Sequence, residues 1–334
     1  MTSTLGTLAI TLPAPHLTLS ECVDLARKAA QEWGYDAIWL AETSGPDSFS
    51  LAASISMVTT HVTIGSALGP VFNRTPAVLA MSAATLGELS DGRFILGLGS
   101  SSHAIIEQWN GVTFEHPLDA VRDAVAICRQ ALGGNRTDYR GNVFSSKGLK
   151  LTSKPSDQPP IYLAALREKM LNLAGEVSDG VIINLFPIEA LTKILAAFKK
   201  GARESGRNPE GPAVCRHQVG LTQDIGTARN MIRTSFAGYF ATPVYNRFLD
   251  WCGYGDEMRK VRKGFEDRDR EAVASALHDQ FIDEVSILGD FETCQEKLSM
   301  FVEKGVTTTV LSPISSSREE TLSCYETFAP ANQR

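Results

Sequence analysis

Glu42 is the one carboxylate that closes a predicted strand at its carboxyl end. A carboxylate so placed can exchange a proton with a ligand or hydrogen-bond to it, or it can lie in a buried ion pair with an arginine such as Arg74. Arg167 and Lys169 open a predicted helix after another strand. With the free N–H groups of the first turn they can hold a phosphate, or they are plain surface charge. The run Gly97-Leu98-Gly99-Ser100-Ser101-Ser102 follows a strand and begins like a dinucleotide fingerprint. Its third glycine is Ser102 instead, and no acidic residue ends a second strand ~20 residues on, which disfavours a nicotinamide cofactor. Small residues in that run suit a backbone lying close beneath a flat ligand.

Histidine offers less. His16 and His103 fall beside predicted strand ends, while His61, His116, His217 and His278 read as structural. No His/Glu/Asp grouping has metal-ligand spacing, no G-x-S-x-G elbow is present, and the Walker phosphate loop is absent. The six cysteines are scattered without a C-x-x-C pair, the pattern of reduced thiols filling core space.

The elements that must position these residues alternate. Short apolar runs rich in β-branched residues occupy 6–12, 37–40, 62–67, 94–99, 161–165, 180–184, 215–221 and 307–311, with helical periodicity between them. Ser20 is the expected cap of the first helix, closed by Gly34, and Pro76 sits in the first turn of a later one. Eight strand–helix units match an α/β fold of the (β/α)8 TIM-barrel type, with a doubly wound sheet as the second choice. Two insertions interrupt the repeat: a hairpin-like excursion at 134–160, and a helical segment without a strand at 239–290. A barrel puts its site at the carboxyl ends of the strands. The candidates are then Ala41-Glu42-Thr43, Ala67-Leu68-Gly69-Pro70, Ser100-Ser101-Ser102-His103, Leu166-Arg167, Asn184-Leu185-Phe186 and Ser312-Pro313. Phe72, Trp109, Phe186 and Phe240 are either walls of that site or ordinary core aromatics.

The chain has 334 residues, 43% hydrophobic and 21% charged, enough for one large domain with a sizeable core. Its formal net charge of -6 lacks the basic footprint of a nucleic-acid binder. Neither a basic-then-apolar leader nor an apolar stretch of ~18 residues is visible, so the expected location is cytoplasmic and off the membrane.

Two long segments carry a family resemblance: 64–80 (IGSALGPVFNRTPAVLA) and 84–99 (ATLGELSDGRFILGLG). Together with PIYLAA at 160–165, LAGEVSDG at 173–180 and the late Gly305-Val306-Thr307 and Ser312-Pro313-Ile314, they resemble the luciferase-like monooxygenase superfamily. The likeness is strongest to the branch that uses the deazaflavin coenzyme F420, which includes methylenetetrahydromethanopterin reductase. It spans nearly the whole chain.

The resemblance implies a luciferase-like TIM barrel, usually a homodimer, with a flavin or deazaflavin at the carboxyl ends of the strands. It also implies a cis peptide and bulge behind the ring at Ala67-Leu68. The ring then lies near Ala41, Ala67, Leu68, Gly69, Gly99 and Ser100, the phosphate tail near Ala165, Leu166, Arg167 and Asn184, and Glu42 assists proton transfer or orientation. Two departures stand out: the similar reductases carry Asp-His where this chain has Ala41-Glu42, and a glycine where it has Arg167. Both argue against assuming the methanopterin substrate. The expected activity is hydride transfer between F420 and an unidentified small organic substrate. The alternatives are an FMN-dependent monooxygenase using oxygen and a flavin-binding protein without turnover.

Overall fold

The computed structural model describes residues 5–153 and 157–333. Eight parallel strands, one for each predicted apolar run, close into a barrel: β1 (Thr7–Leu12), β2 (Ala37–Leu40), β3 (Thr63–Ser66), β4 (Phe94–Gly99), β5 (Ile161–Ala164), β6 (Gly180–Asn184), β7 (Ala213–Leu221) and β8 (Thr308–Pro313). They pair in sequence order, and β8 returns to β1 through Thr7↔Thr308 to Ile10↔Leu311. Because side chains alternate across a strand, each strand contributes to two cores. Ala9, Ala37, Trp39, Tyr162, Ile182, Val214 and Val310 fill the barrel interior. Ile10, Ile38, Leu40, Ile64, Leu163, Val181, Cys215 and Leu311 face the surrounding helices.

The helices arise from local signals. In α1 (Leu19–Gln31) the cap is Thr18, not the expected Ser20: Thr18 accepts from the Glu21 N–H while Glu21 accepts from the Thr18 N–H and hydroxyl, a reciprocal box that outcompetes a lone serine. Asp47 caps α2 (Ser48–Val58) and Thr75 caps α3 (Pro76–Leu89), whose first-turn proline is where it was expected. Further around the barrel run α4 (Pro117–Leu132), α5 (Glu168–Val177) and α6 (Leu191–Glu204).

The first insertion contains the expected hairpin, Asp138–Arg140 against Ser145–Lys147; residues 154–156 lie outside the described residues. The second differs from expectation at both ends. It begins with α7 (Ile225–Ala241), continues through α8 (Pro243–Leu249), α9 (Gly255–Glu266), α10 (Arg270–Ala276) and α11 (Asp279–Val285), and ends in a strand, Ile287–Gly289. That three-residue strand pairs with the carboxyl end of β7, Val219↔Ile287 to Leu221↔Gly289. Three residues carry too little periodicity to be distinguished from a helix end in sequence. The insertion has its own core around Phe240, Leu249, Val261, Phe281 and Ile282. The barrel repeat then resumes with α12 (Phe291–Glu303) and finishes with α13 (Arg318–Thr327).

His217 is structural, as expected. It points outward from β7 onto Phe301, ring centroids 4.5 Å apart, and its Nε2 is buried without a partner among the described residues. Burial pushes its pKa down from 6.5 to about 3. The unfolded chain therefore takes up a proton that the folded one refuses, and stability falls as pH drops from 6.5 toward 3. His217→Gln should flatten that part of the stability-versus-pH curve, by at most ~1.4 kcal/mol per pH unit, in urea unfolding followed at several pH values.

Candidate active site

The most irregular part of the barrel wall lies where β3 ends. Gly65 pairs with Ile95 and Gly69 with Leu98, so this strand spends one residue more than β4 between the two pairings, which is a β-bulge. The bulge holds the Ala67–Leu68 peptide, which is cis, at the position the family resemblance implied. The Ala67 N–H donates to the Leu40 carbonyl at 2.7 Å, and Ala67 packs on the barrel-interior cluster. Beneath, the Ser66 hydroxyl accepts from the Gly97 N–H at 2.9 Å and donates to the Gly97 carbonyl at 3.0 Å.

The small residues of β4 make room for this. A Cβ on Gly97 would stand 1.8 Å from the Ser66 carbonyl oxygen, and one on Gly99 would meet the end of the Leu68 side chain at 2.7 Å. The close approach inferred from the glycine run is thus in the first place one of the chain to itself. Trp39 lies over Gly65, where a Cβ would fall 2.5 Å from the ring, and forms an apolar floor with Tyr162, Ile182, Val214 and Val310.

Above this floor the inward-facing residues turn polar. Asn184 of β6 and Arg216 of β7 are register partners. Gln218 donates to Asn184 Oδ1 at 3.5 Å, and Arg216 Nη2 donates to Ser312 Oγ at 2.8 Å. Arg216, Gln218 and the tyrosines below were missed in the sequence. A charged and an amide side chain on alternate positions of the 213–221 run, apolar apart from these and His217, would have marked the inward face of that strand. The insertion roofs the mouth. Asn184 Nδ2 donates to Tyr245 Oη at 3.3 Å, Tyr239 Oη lies 3.5 Å from Thr43 Oγ1, and the two tyrosine rings meet edge-on at 5.6 Å. Thr43 follows β2 and Asn184 ends β6, opposite strands of the barrel, so the pair bridges it.

Of the two alternatives for Glu42, the structure displays the ion pair. Arg74 donates from Nη1 to Oε1 at 2.7 Å and from Nη2 to Oε2 at 3.1 Å, and the Ser48 hydroxyl and N–H add 2.6 and 3.1 Å bonds to Oε2. Arg74 also pairs with Asp47 and stacks on Phe49. Burial works against its charge, but Glu42 and Asp47 outweigh this and raise its pKa. Ala41 is tied to Leu12 through its N–H.

On the facing rim, Ala165 donates its N–H to Ile182, Leu166 packs on the outer core and Arg167 precedes α5 without capping it. Burial, then the neighbouring Arg247 guanidinium, lowers the pKa of Arg167. Neither arginine side chain has an ion pair among the described residues. Three loops leaving strand ends hold non-glycine residues at positive φ: His16 (60°), Ser101 (66°) and Leu185 (53°). Each costs of order 1–3 kcal/mol and such residues gather at functional sites.

Other candidates fall elsewhere. His16 is engaged at 2.9 Å by the Ser315 carbonyl and His103 pairs with Glu107 at an exposed position. Phe186 packs on Phe301, Phe240 is buried in the insertion core, and Phe72 packs on Phe114 and Phe144, so these three are core aromatics. Trp109 is exposed.

The family model for luciferase-like monooxygenases matches residues 2–308. The chain belongs to this family. A 5,10-methylenetetrahydromethanopterin reductase of Methanolobus tindarius is 29% identical over 303 residues, covering 88% of this chain and 91% of that protein. A putative coenzyme F420-dependent oxidoreductase of Mycobacterium tuberculosis is 29% identical over 322 residues, covering 87% and 90%. Among solved structures, the coenzyme F420-dependent tetrahydromethanopterin reductase of Methanopyrus kandleri superposes with a TM-score of 0.81 at 21% identity over 98% of both chains. That likeness establishes the luciferase-like barrel.

The contact between β3 and β4 makes a graded prediction. Gly97→Ala drives a Cβ into a backbone oxygen and should destabilise the protein by ~3 kcal/mol or more. Gly99→Ala meets a leucine tip and, less closely, the Cβ of Ala164 at 3.3 Å, and should cost less than half as much, both read by denaturant unfolding.

Proposed function

We propose that the protein is an oxidoreductase that binds the deazaflavin F420 at the barrel mouth and exchanges a hydride with a small organic substrate. The observation that carries this is the one-residue bulge of the barrel wall between Gly65 and Gly69, a shelf beside an apolar floor and beneath a tyrosine roof. The relatives named for F420 support it. The residues present fit such a group. Ala67, Leu68 and Gly69 offer the shelf, and Ala41, Gly99 and Ser100 its small-residue border. Ala165, Leu166 and Asn184 line the way to Arg167 and Arg247, two cations without ion pairs beside the amino end of the ten-residue α5, a site suited to a phosphate tail.

When bound, F420 supplies or takes up the hydride at its ring carbon. The chain does the rest. The Trp39 floor and the Tyr239–Tyr245 roof exclude water. The cations at 167 and 247 offset the negative tail. Glu42 serves as a positioning group: it holds Arg74 and Ser48 and with them the rim after β2.

Fluorescence or absorbance titration tests the cofactor. F420 should bind more tightly than FMN, and Arg167→Glu should weaken F420 by about tenfold or more. Tight FMN binding with substrate-dependent oxygen uptake overturns the reading in favour of a monooxygenase, and binding of either cofactor without turnover of any candidate substrate leaves a carrier.

The protein is further proposed to be a homodimer in the cytoplasm, where its free thiols suit a reducing compartment. Helices α2 and α3 are apolar on nearly every side, yet Met57, Val78 and Met81 are 70%, 44% and 53% exposed. Helices of that kind need cover on both faces. Met81→Glu should halve the mass measured by light scattering.

A further inference from the structure

Arg216 stands out among the arginines. Val214, two residues before it, belongs to the barrel-interior core, while Cys215 and Val219 belong to the outer one. The alternation of β7 therefore aims Arg216 inward, level with Asn184. Its Nη2 is held by Ser312, and its Nε is fully enclosed without a partner among the described residues. No carboxylate pairs with it there. Burial lowers its pKa, and the ionisable groups near enough to act on it are tyrosines, Tyr245, Tyr239 and Tyr325.

Arg93 shows what a structural arginine does in this fold: it donates to the Val62, Thr59 and Ser56 carbonyls and the Thr59 hydroxyl. Arg216 makes one hydrogen bond among the described residues. A half-buried cation whose Nε is shut off from water, with so little compensation, is costly unless a ligand completes it. Its place matters as well. In a closed barrel of eight strands β7 is four places from β3 and faces the bulge across the mouth.

We infer that Arg216, with Ser312, Gln218 and Asn184 beside it, binds a carboxylate of the substrate, which makes that substrate a small organic acid. The inference rests on the reading above, because a planar cofactor on the Ala67–Leu68 shelf turns its free face toward β7. A monoanion matches the single charge. The planar fork of an arginine accepts a carboxylate through two parallel hydrogen bonds, here from the groups that Ser312 leaves unused.

The test is calorimetric titration of the cofactor-free and F420-loaded protein with acetate, butanoate and benzoate, each against its neutral amide. At least one acid should bind about tenfold or more tightly than its amide, and Arg216→Gln should abolish the preference. Arg216→Lys, which keeps the charge without the fork, should retain part of it and serves if the glutamine variant does not fold. Equal binding of acid and amide, no binding of any acid, or a preference that survives Arg216→Gln overturns the proposal. Failure of F420 to bind the wild-type protein overturns the cofactor reading instead, and the acid-against-amide comparison in the cofactor-free protein still decides this one.

Discussion

The mouth of the barrel depends on one steric permission: the Ser66 carbonyl can lie where any residue other than glycine at position 97 would put a Cβ. Backbone of two neighbouring strands comes this close because the Ser66 hydroxyl satisfies both the N–H and the carbonyl of Gly97. With that contact in place β3 can bulge by one residue and rejoin β4 at Gly69. Ala67 is then turned into the interior, above the floor made by Trp39.

Charge divides the rim into unlike halves. On the side of β2 the carboxylate of Glu42 and the guanidinium of Arg74 neutralise each other, with Asp47 and Ser48 completing the cluster. That half is internally satisfied and acts as scaffold. Near β5 to β7 the cations of Arg167, Arg247 and Arg216 have no acidic partner among the described residues, although the chain as a whole carries an excess of acid. Cations left without carboxylate partners on one side of an opening are arranged to receive anions there.

The insertion after β7 links these halves. It has a core of its own, and its two tyrosines reach Thr43 on one side and Asn184 on the other. The roof therefore touches both rims, and it rests on the same Asn184 that neighbours Arg216.

Much of this was legible in the residues. The eight barrel strands follow from apolar runs whose two-sided burial leaves little freedom, while the glycines at 97 and 99, read as a close approach to a flat ligand, admit the neighbouring strand's own backbone and Leu68. The hairpin at 138–147 was announced by its polar, turn-rich composition. Local chemistry determined the helix starts as well, although at α1 a reciprocal Thr18–Glu21 pair prevailed over the nearer serine.

What only the tertiary structure decided was partnership across the chain. Glu42 and Arg74 are 32 residues apart and Arg216 and Ser312 are 96 apart. Nothing in the local sequence says that the first pair is saturated and the second is not. Local sequence specifies which way a side chain points along its own strand; whether a charge there meets a counter-charge depends on what barrel closure brings opposite it.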